Sequence, residues 1–223
     1  LQGAVTMHQR NNDIYLIGAG GHAKVILALL EEQGRKCLGI YDDNEALWGK
    51  TLYGVPVIGA VNELTDENGI SAVIAIGNNN VRKSIAEKFR NLHWATLIHP
   101  HSWVHKSAKI QEGTVVFAGA VIQPDVCIGK HTIINTSVSI DHDCAIGDFC
   151  HVAPGCHLAG GVNVEDNAFI GVGTTIIPCI SITANTTIGA GAVVVKDIRQ
   201  CGTYVGVPAQ LIFYGETIKC LNY

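Results

Sequence analysis

From Val104 to Val194 every sixth residue is Val, Ile or Leu, sixteen times in succession: Val104, Ile110, Val116, Ile122, Ile128, Ile134, Ile140, Ile146, Val152, Leu158, Val164, Ile170, Ile176, Ile182, Ile188 and Val194. A short fixed period of this kind marks a stacked β-solenoid. Each hexad makes one flat face and three hexads one triangular turn, so residues eighteen apart should stack at about 4.8 Å, the parallel inter-strand spacing. Each buried branched aliphatic stabilises by about 1.5–3 kcal/mol. Gly129, Gly147, Gly171 and Gly189 directly follow the aliphatic and are expected where the chain approaches a corner.

Upstream of the repeat the pattern changes to that of a small α/β unit. Asp13–Ile17 is a short apolar strand followed by the turn Gly18-Ala19-Gly20-Gly21. A helix is predicted from about His22 to Glu32, with Val25, Ile26, Leu29 and Leu30 on one face and Gly34 as its stop. A second strand, Cys37–Tyr41, ends in Asp42-Asp43. A third, Ala72–Ile76, ends in Gly77-Asn78-Asn79-Asn80, and a further helix begins near Val81. Such alternation implies a parallel sheet with helices packed on it. Ligands of these sheets sit beyond the carboxyl ends of the strands, where all three polar turns should converge on one crevice. The expected partition is a tag and disordered start over 1–12, an α/β domain over 13–98, a solenoid domain over 99–199, and a C-terminal extension packing on the solenoid over 200–223. The only methionine, Met7, is the reason for reading the first residues as a tag.

Composition narrows the function classes. Of 223 residues 48% are hydrophobic and 15% charged, which favours a well-buried core over disorder. The net charge of −4, with no basic run interleaved with aromatics, speaks against a nucleic-acid partner. No apolar stretch is long enough to span a membrane, and no signal peptide is expected. Cys144, Cys150 and Cys156 are six apart, at a place that holds Ala, Val or Thr in other hexads, so they read as small buried wall residues. With no CxxC pair, a structural zinc site has little support. A reducing cytoplasm fits best.

His142 is the strongest candidate for chemistry. It stands two places after the inward Ile140, so its imidazole should point out of the solenoid, available for proton transfer near neutral pH. Asp141 and Asp143 flank it, and either carboxylate could orient the ring and raise its basicity. Gly160 lies one turn above. A glycine there would leave room beside the ring and expose a backbone N–H able to steady a developing negative charge. His151, half a turn on from His142, belongs on another face of the same subunit. Gly18, Gly20 and Ala23 make a G-x-G-x-x-A pattern between strand and helix, with Asp42 about twenty residues on. The unit is too short for the two halves of a dinucleotide site, so a mononucleotide is the better expectation.

The hexads resemble the left-handed parallel β-helix of the hexapeptide-repeat acyltransferases. The whole chain is similar to the two-domain nucleotide-sugar acetyltransferases, with a Rossmann-like domain before the β-helix, and to sialic acid O-acetyltransferase-like proteins. The stretches that carry this are Gly18-Ala19-Gly20-Gly21-His22-Ala23-Lys24, Ile76-Gly77-Asn78-Asn79, Asn135-Thr136-Ser137, Asp141-His142-Asp143-Cys144 and Gly206-Val207-Pro208-Ala209. The resemblance implies a homotrimer that transfers the acetyl group of the co-substrate acetyl-CoA, with no permanently bound cofactor. The acceptor would be the 4-amino group of a nucleotide-linked amino sugar, UDP-4-amino-4,6-dideoxy-N-acetylglucosamine before others, in bacterial glycan biosynthesis. It implies His142 as the base with Asp143 beside it, and acetyl-CoA contacts from His151 and from the backbone near Val172 and Ala190. It places Gly20, Gly21 and His22 near the phosphates, Asp42 and Asp43 near ribose and base, and Gly77 and Asn78 on the wall of the crevice. Three other readings stay open at the level of sequence: sugar or sialic acid O-acetylation, a non-catalytic nucleotide-sugar-binding solenoid, and a small NAD-dependent enzyme with a trimerisation tail.

Overall fold

The computed structural model describes residues 13–65 and 70–213; the expected tag and disordered start over 1–12, and residues 214–223 of the expected extension, lie outside the described residues. The chain forms two compact units. Of the described residues, one takes in those up to Ile76 together with Phe89–Ala95; the other gathers Gly77–Lys88 with those from Thr96 onward.

In the first unit, strand β1 (Asp13–Ile17) is the centre of a sheet. It pairs in parallel with β2 (Lys36–Tyr41) on one side and β5 (Ser71–Ile74) on the other. Ile14, Leu16 and Ile17 are fully buried, as an apolar run in a covered parallel strand should be. Helix α1 (Gly21–Glu32) buries Ala23, Ile26, Leu27, Leu29 and Leu30. Val25, expected on that face, is instead 43% exposed. The helix ends as Gly34 takes φ +63. The Gly34 N–H donates to the Glu31 carbonyl and the Arg35 N–H to that of Leu30, the paired bonds of a Schellman stop. Beyond β2 lies a hairpin that the sequence pattern did not reveal, β3 (Thr51–Leu52) and β4 (Val55–Gly59), antiparallel. Its two turn residues, Tyr53 and Gly54, both have positive φ, the requirement of a type I′ turn. With β6 (His93–Trp94) the sheet order is β3-β4-β2-β1-β5-β6.

The second unit is a parallel β-solenoid joined by helix α2 (Asn79–Lys88). Two-residue strands stack into three sheets. The first contains Leu97–Ile98, Val115–Val116, Ile133–Ile134, His151–Val152, Phe169–Ile170 and Thr187–Ile188; Thr203–Val205 extends it in parallel. The second runs from Trp103–Val104 through Ser139–Ile140 and His157–Leu158 to Val193–Val194, and the third from Lys109–Ile110 to Ser181–Ile182. Ile122 faces Ile140, Ile140 faces Leu158 and Leu158 faces Ile176, so the eighteen-residue stacking expected from the period is the observed register. The hexad's fifth place is also buried. Cys144, Cys150 and Cys156 are at most 1% exposed, and their thiols donate to carbonyls of the next turn. Burial pushes the Cys150 thiol up to about 12 and that of Cys156 to about 11, which leaves both inert.

The corners themselves come two residues after Gly129, Gly147, Gly171 and Gly189. Positive φ recurs every sixth residue from Gly113 to Gly191, at the third place after the aliphatic, and is taken there by Asp125, His131, Ser137, Asp143, Phe149, Asn167, Cys179 and Asn185 as well as by glycines. Gly147 and Gly171 do not turn the chain. A Cβ on Gly147 would lie 2.6 Å from the Asp166 nitrogen, and one on Gly171 2.6 Å from the Ile188 carbonyl oxygen. Their role is to let successive turns approach.

Candidate active site

His142 follows the second-sheet strand Ser139–Ile140. Ile140 is fully buried beneath it, and the imidazole projects outward with 62% of its side chain exposed. The next residue, Asp143, occupies the positive-φ corner at +61, a conformation that short polar side chains tolerate. The turn directs its carboxylate back along the chain, and His142 Nδ1 lies 2.7 Å from Asp143 Oδ2. Asp141 acts differently: its Oδ1 accepts the His142 backbone N–H at 3.2 Å. The ambiguity between the two carboxylates is therefore resolved in geometry, with Asp143 on the ring and Asp141 on the backbone. The Asp143 hydrogen bond first, and the charge of Asp141 after it, raise the His142 pKa above its ordinary value of 6.5.

That shift has a testable sign. Were His142 the base that the resemblance implies, it would act unprotonated, and the ascending limb of the pH–rate profile would lie above the ordinary imidazole value. Asp143→Asn removes the group that raises the pKa. The variant is expected to move the limb to lower pH and to lower the plateau, since the amide cannot stabilise the imidazolium. kcat/KM measured across pH checks both.

Gly160 stands one turn above, and its need for glycine is specific. A Cβ there would lie 2.7 Å from His142 Cε1 and 2.8 Å from Nε2, so the missing side chain makes room first for the imidazole. Gly161 N–H donates to the His142 carbonyl and Cys179 N–H to the Gly160 carbonyl. Beside this corner a groove of about 330 Å³ runs along the second sheet, lined among others by Gln123, Ser139, Asp141, His157, Ala159 and Thr175. Ser139 Oγ and His157 Nδ1 are 2.8 Å apart in it.

The remaining predicted residues fall into separate groups. His151 is in the first sheet, away from the second-sheet corner of His142, and is half-buried. Its Nδ1 lies 3.3 Å from the Gly77 carbonyl oxygen, its Nε2 3.2 Å from Asn135 Nδ2, and its ring meets Phe169 edge-on. Val172 and Ala190, both exposed, share another corner, where Gly191 N–H donates to the Val172 carbonyl. Asn78 caps α2 by accepting the Val81 N–H at 3.1 Å. In the first unit Gly20 and Gly21 face open space, with nothing near an added Cβ. Gly20 provides no side-chain cap to α1, so the helix N-terminus is open to an anion. His22 is half-buried in the first turn of α1. Gly18 is the glycine that sterics demand, with φ +103 and only 2.7 Å between an added Cβ and Ile76. Asp42 accepts the Ala19 N–H at 2.7 Å and the Asn44 N–H at 2.8 Å, and Asp43 accepts the Val61 N–H at 2.9 Å. The two carboxylates thus tie the end of β2 to neighbouring segments, Asp42 to the glycine turn and Asp43 to the chain after β4.

Residues 13–89 match the model of the PglD N-terminal domain. UDP-N-acetylbacillosamine N-acetyltransferase of Bacillus subtilis is 40% identical over 112 residues, 48% of this chain and 51% of that protein. The chain spans about half the length, or less, of the curated relatives it matches. Solved structures align over more. The acetyltransferase domain of PglB from Neisseria gonorrhoeae, in complex with acetyl coenzyme A, superposes with TM-score 0.82 at 36% identity, covering 91% of this chain and 100% of that one. PerB from Caulobacter crescentus, in complex with CoA and GDP-perosamine, gives TM-score 0.83 at 38% identity, covering 90% and 97%. The chain belongs to the hexapeptide-repeat sugar N-acetyltransferases.

For a member of this family, sequence reasoning overlooked two residues that organise the site region. Asn135 was noted only as part of a motif, yet its amide contacts His151. Arg82 is the single buried residue of α2, at 1% exposure; a charged residue in a polar helix reads as solvated by default. The available signal was its place three residues after Asn79, on the same helix face. Among the described residues no group of three or more His, Cys, Asp or Glu could hold a metal ion, and no helix is long and apolar enough to cross a membrane.

Proposed function

We propose that this chain is an acetyl-CoA-dependent sugar N-acetyltransferase that acetylates the 4-amino group of a nucleotide-linked amino sugar, UDP-4-amino-4,6-dideoxy-N-acetylglucosamine before others, in bacterial glycan biosynthesis. The observation that carries the reading is the outward imidazole of His142 with Asp143 at 2.7 Å on its Nδ1. Nε2 is left as the proton acceptor. As the sugar amine attacks the thioester carbonyl, His142 takes the amine's proton. Asp143 stabilises the imidazolium that results, and the Gly160 N–H, which has no acceptor among the described residues, steadies the tetrahedral oxyanion. Collapse breaks the carbon–sulfur bond, and the imidazolium returns a proton to the departing thiolate. The UDP assignment is supported by the Bacillus relative, named for a UDP-linked sugar. The open N-terminus of α1 behind Gly20 and Gly21 would receive the diphosphate, with His22 beside it and Asp42 and Asp43 shaping the ribose side.

The same reading takes the solenoid as left-handed, the first unit as Rossmann-like, and the working form as a cytoplasmic homotrimer. In one copy His142 stands at the corner after a second-sheet strand and His151 lies in the first sheet. A neighbour's first-sheet side, with His151, Val172 and Ala190, would complete the acetyl-CoA site of His142.

A panel of UDP-, GDP- and dTDP-linked amino sugars, with hydroxy sugars in parallel, tests the proposal by thermal shift and by thiol release from acetyl-CoA. A ligand at one hundred times its Kd stabilises by about 2.7 kcal/mol. The UDP-linked 4-amino sugar should give the largest shift and the fastest release. Turnover confined to a GDP-linked sugar would reassign the nucleotide, and turnover confined to hydroxyls would reassign the reaction to O-acetylation. No release with any acceptor would reject the activity.

A further inference from the structure

Arg82 occupies an unusual place for a cation. Its guanidinium is enclosed between α2 and the solenoid and donates to neutral oxygens: Nε to the His131 carbonyl at 2.7 Å, Nη1 to the Gly77 carbonyl at 3.1 Å, and Nη2 to Asn79 Oδ1 and the Phe149 and Cys150 carbonyls at 2.8–3.0 Å. Burial pushes its pKa down to about 10, which leaves it charged at neutral pH. A planar fork with five N–H donors can span a helix turn and two solenoid turns at once, and a lysine cannot.

The Gly77 carbonyl is the point of interest, because His151 shares it. A carbonyl only accepts, so a hydrogen bond to it requires the proton on His151 Nδ1. The other side of the ring gives the same answer independently. Asn135 Oδ1 accepts the Thr136 N–H at 2.8 Å, which fixes the orientation of the amide and turns Nδ2 toward His151 Nε2 at 3.2 Å. Nε2 must then be the unprotonated nitrogen. Free neutral imidazole prefers the opposite tautomer, so the protein imposes this one.

We infer that Arg82 is a positioning residue that clamps the Gly77 carbonyl and thereby holds His151 as its neutral Nδ1–H tautomer, tying the turn at Gly77-Asn78 that leads into α2 to that imidazole. This rests on the proposed reading for its consequence, since that reading gives His151 to acetyl-CoA, and the resemblance gives Gly77 and Asn78 to the nucleotide sugar. One oxygen would then set the geometry on both substrate sides. Asn79 Nδ2, donating to the Asn167 and Ala168 carbonyls at 3.2 and 3.1 Å, steadies the same turn from its far side.

The test is nitrogen NMR of the histidine rings on the full chain, with His151 assigned by its loss in His151→Gln. In the unsubstituted protein His151 should show a protonated Nδ1 and a pyridine-like Nε2. A protonated Nε2 would overturn the inference whether or not any variant folds. In Arg82→Gln and Arg82→Lys the ring should shift toward the Nε2–H form, by less in the lysine variant, which can still reach one of the carbonyls. The KM for acetyl-CoA should rise at least about fivefold while the ascending pH limb set by His142 stays in place. A folded Arg82→Gln protein with an unchanged His151 spectrum, or with both KM values unchanged, would also overturn it. The ring measurement needs no turnover, so a chain inactive on every acceptor would reject the proposed activity and leave the tautomer result to stand by itself.

Discussion

His142→Ala is expected to lower kcat by about 10²–10⁴-fold, the usual contribution of a positioned general base, while nucleotide-sugar binding is retained. The two halves of that expectation have separate origins. The imidazole is the outward group that Asp143 orients at 2.7 Å, whereas the open glycine turn proposed for the nucleotide belongs to the other compact unit. The fold should not suffer, because the ring is exposed and its removal leaves no buried partner unsatisfied. Thiol release from acetyl-CoA reads the first half and calorimetric titration with the nucleotide sugar the second. Full activity in this variant would reject His142 as the base, and loss of sugar binding would show that it holds the acceptor.

Ile140→Ala should carry the largest stability cost, about 2–5 kcal/mol, the range for truncating a large aliphatic in a core that cannot collapse. Ile140 is fully buried and lies in register between Ile122 below and Leu158 above. Those neighbours are held by ladder hydrogen bonds on both sides, so the cavity has little means of closing. Urea denaturation with an unchanged m-value would show that stability, and not the denatured state, has moved. Because Asp141 and His142 lead into the corner directly after Ile140, the same variant should lose activity before it unfolds. A cost below about 0.5 kcal/mol, typical of surface substitutions, would contradict the close-packed interior.

The parts of this protein legible in its sequence are those where one residue type answers to one physical demand. The inward aliphatic at every sixth place gave the stacking register, and counting two places on from Ile140 gave the outward face of His142. The alternation of apolar runs with Gly18–Gly21 and Asp42-Asp43 gave the central strands and α1. Legibility failed where the demand was met by many residue types. The corners are a backbone conformation shared by Gly, Asp, Asn, Ser, His, Phe and Cys, so a search for glycine selected Gly129 and Gly147, which serve close approach instead. The β3–β4 hairpin was hidden because its turn begins with Tyr53 and not with the Asn or Asp that usually announces it. Arg82 was hidden for another reason: apart from Asn79 its partners named above are main-chain carbonyls, which leave no trace in side-chain identity.

The recurrence of the corner at every sixth residue has a consequence for how such a chain can change in length. Shape here is stored as phase. Losing one amino acid anywhere between Gly113 and Gly191 would transfer every later wall position to the exterior and set bulky groups on the bends. Excising a complete eighteen-residue coil would leave the coils on either side matched. Growth and shrinkage of the prism are therefore quantised in whole coils, and the distance from the reactive imidazole to either end can vary only in steps of one strand spacing, about 4.8 Å.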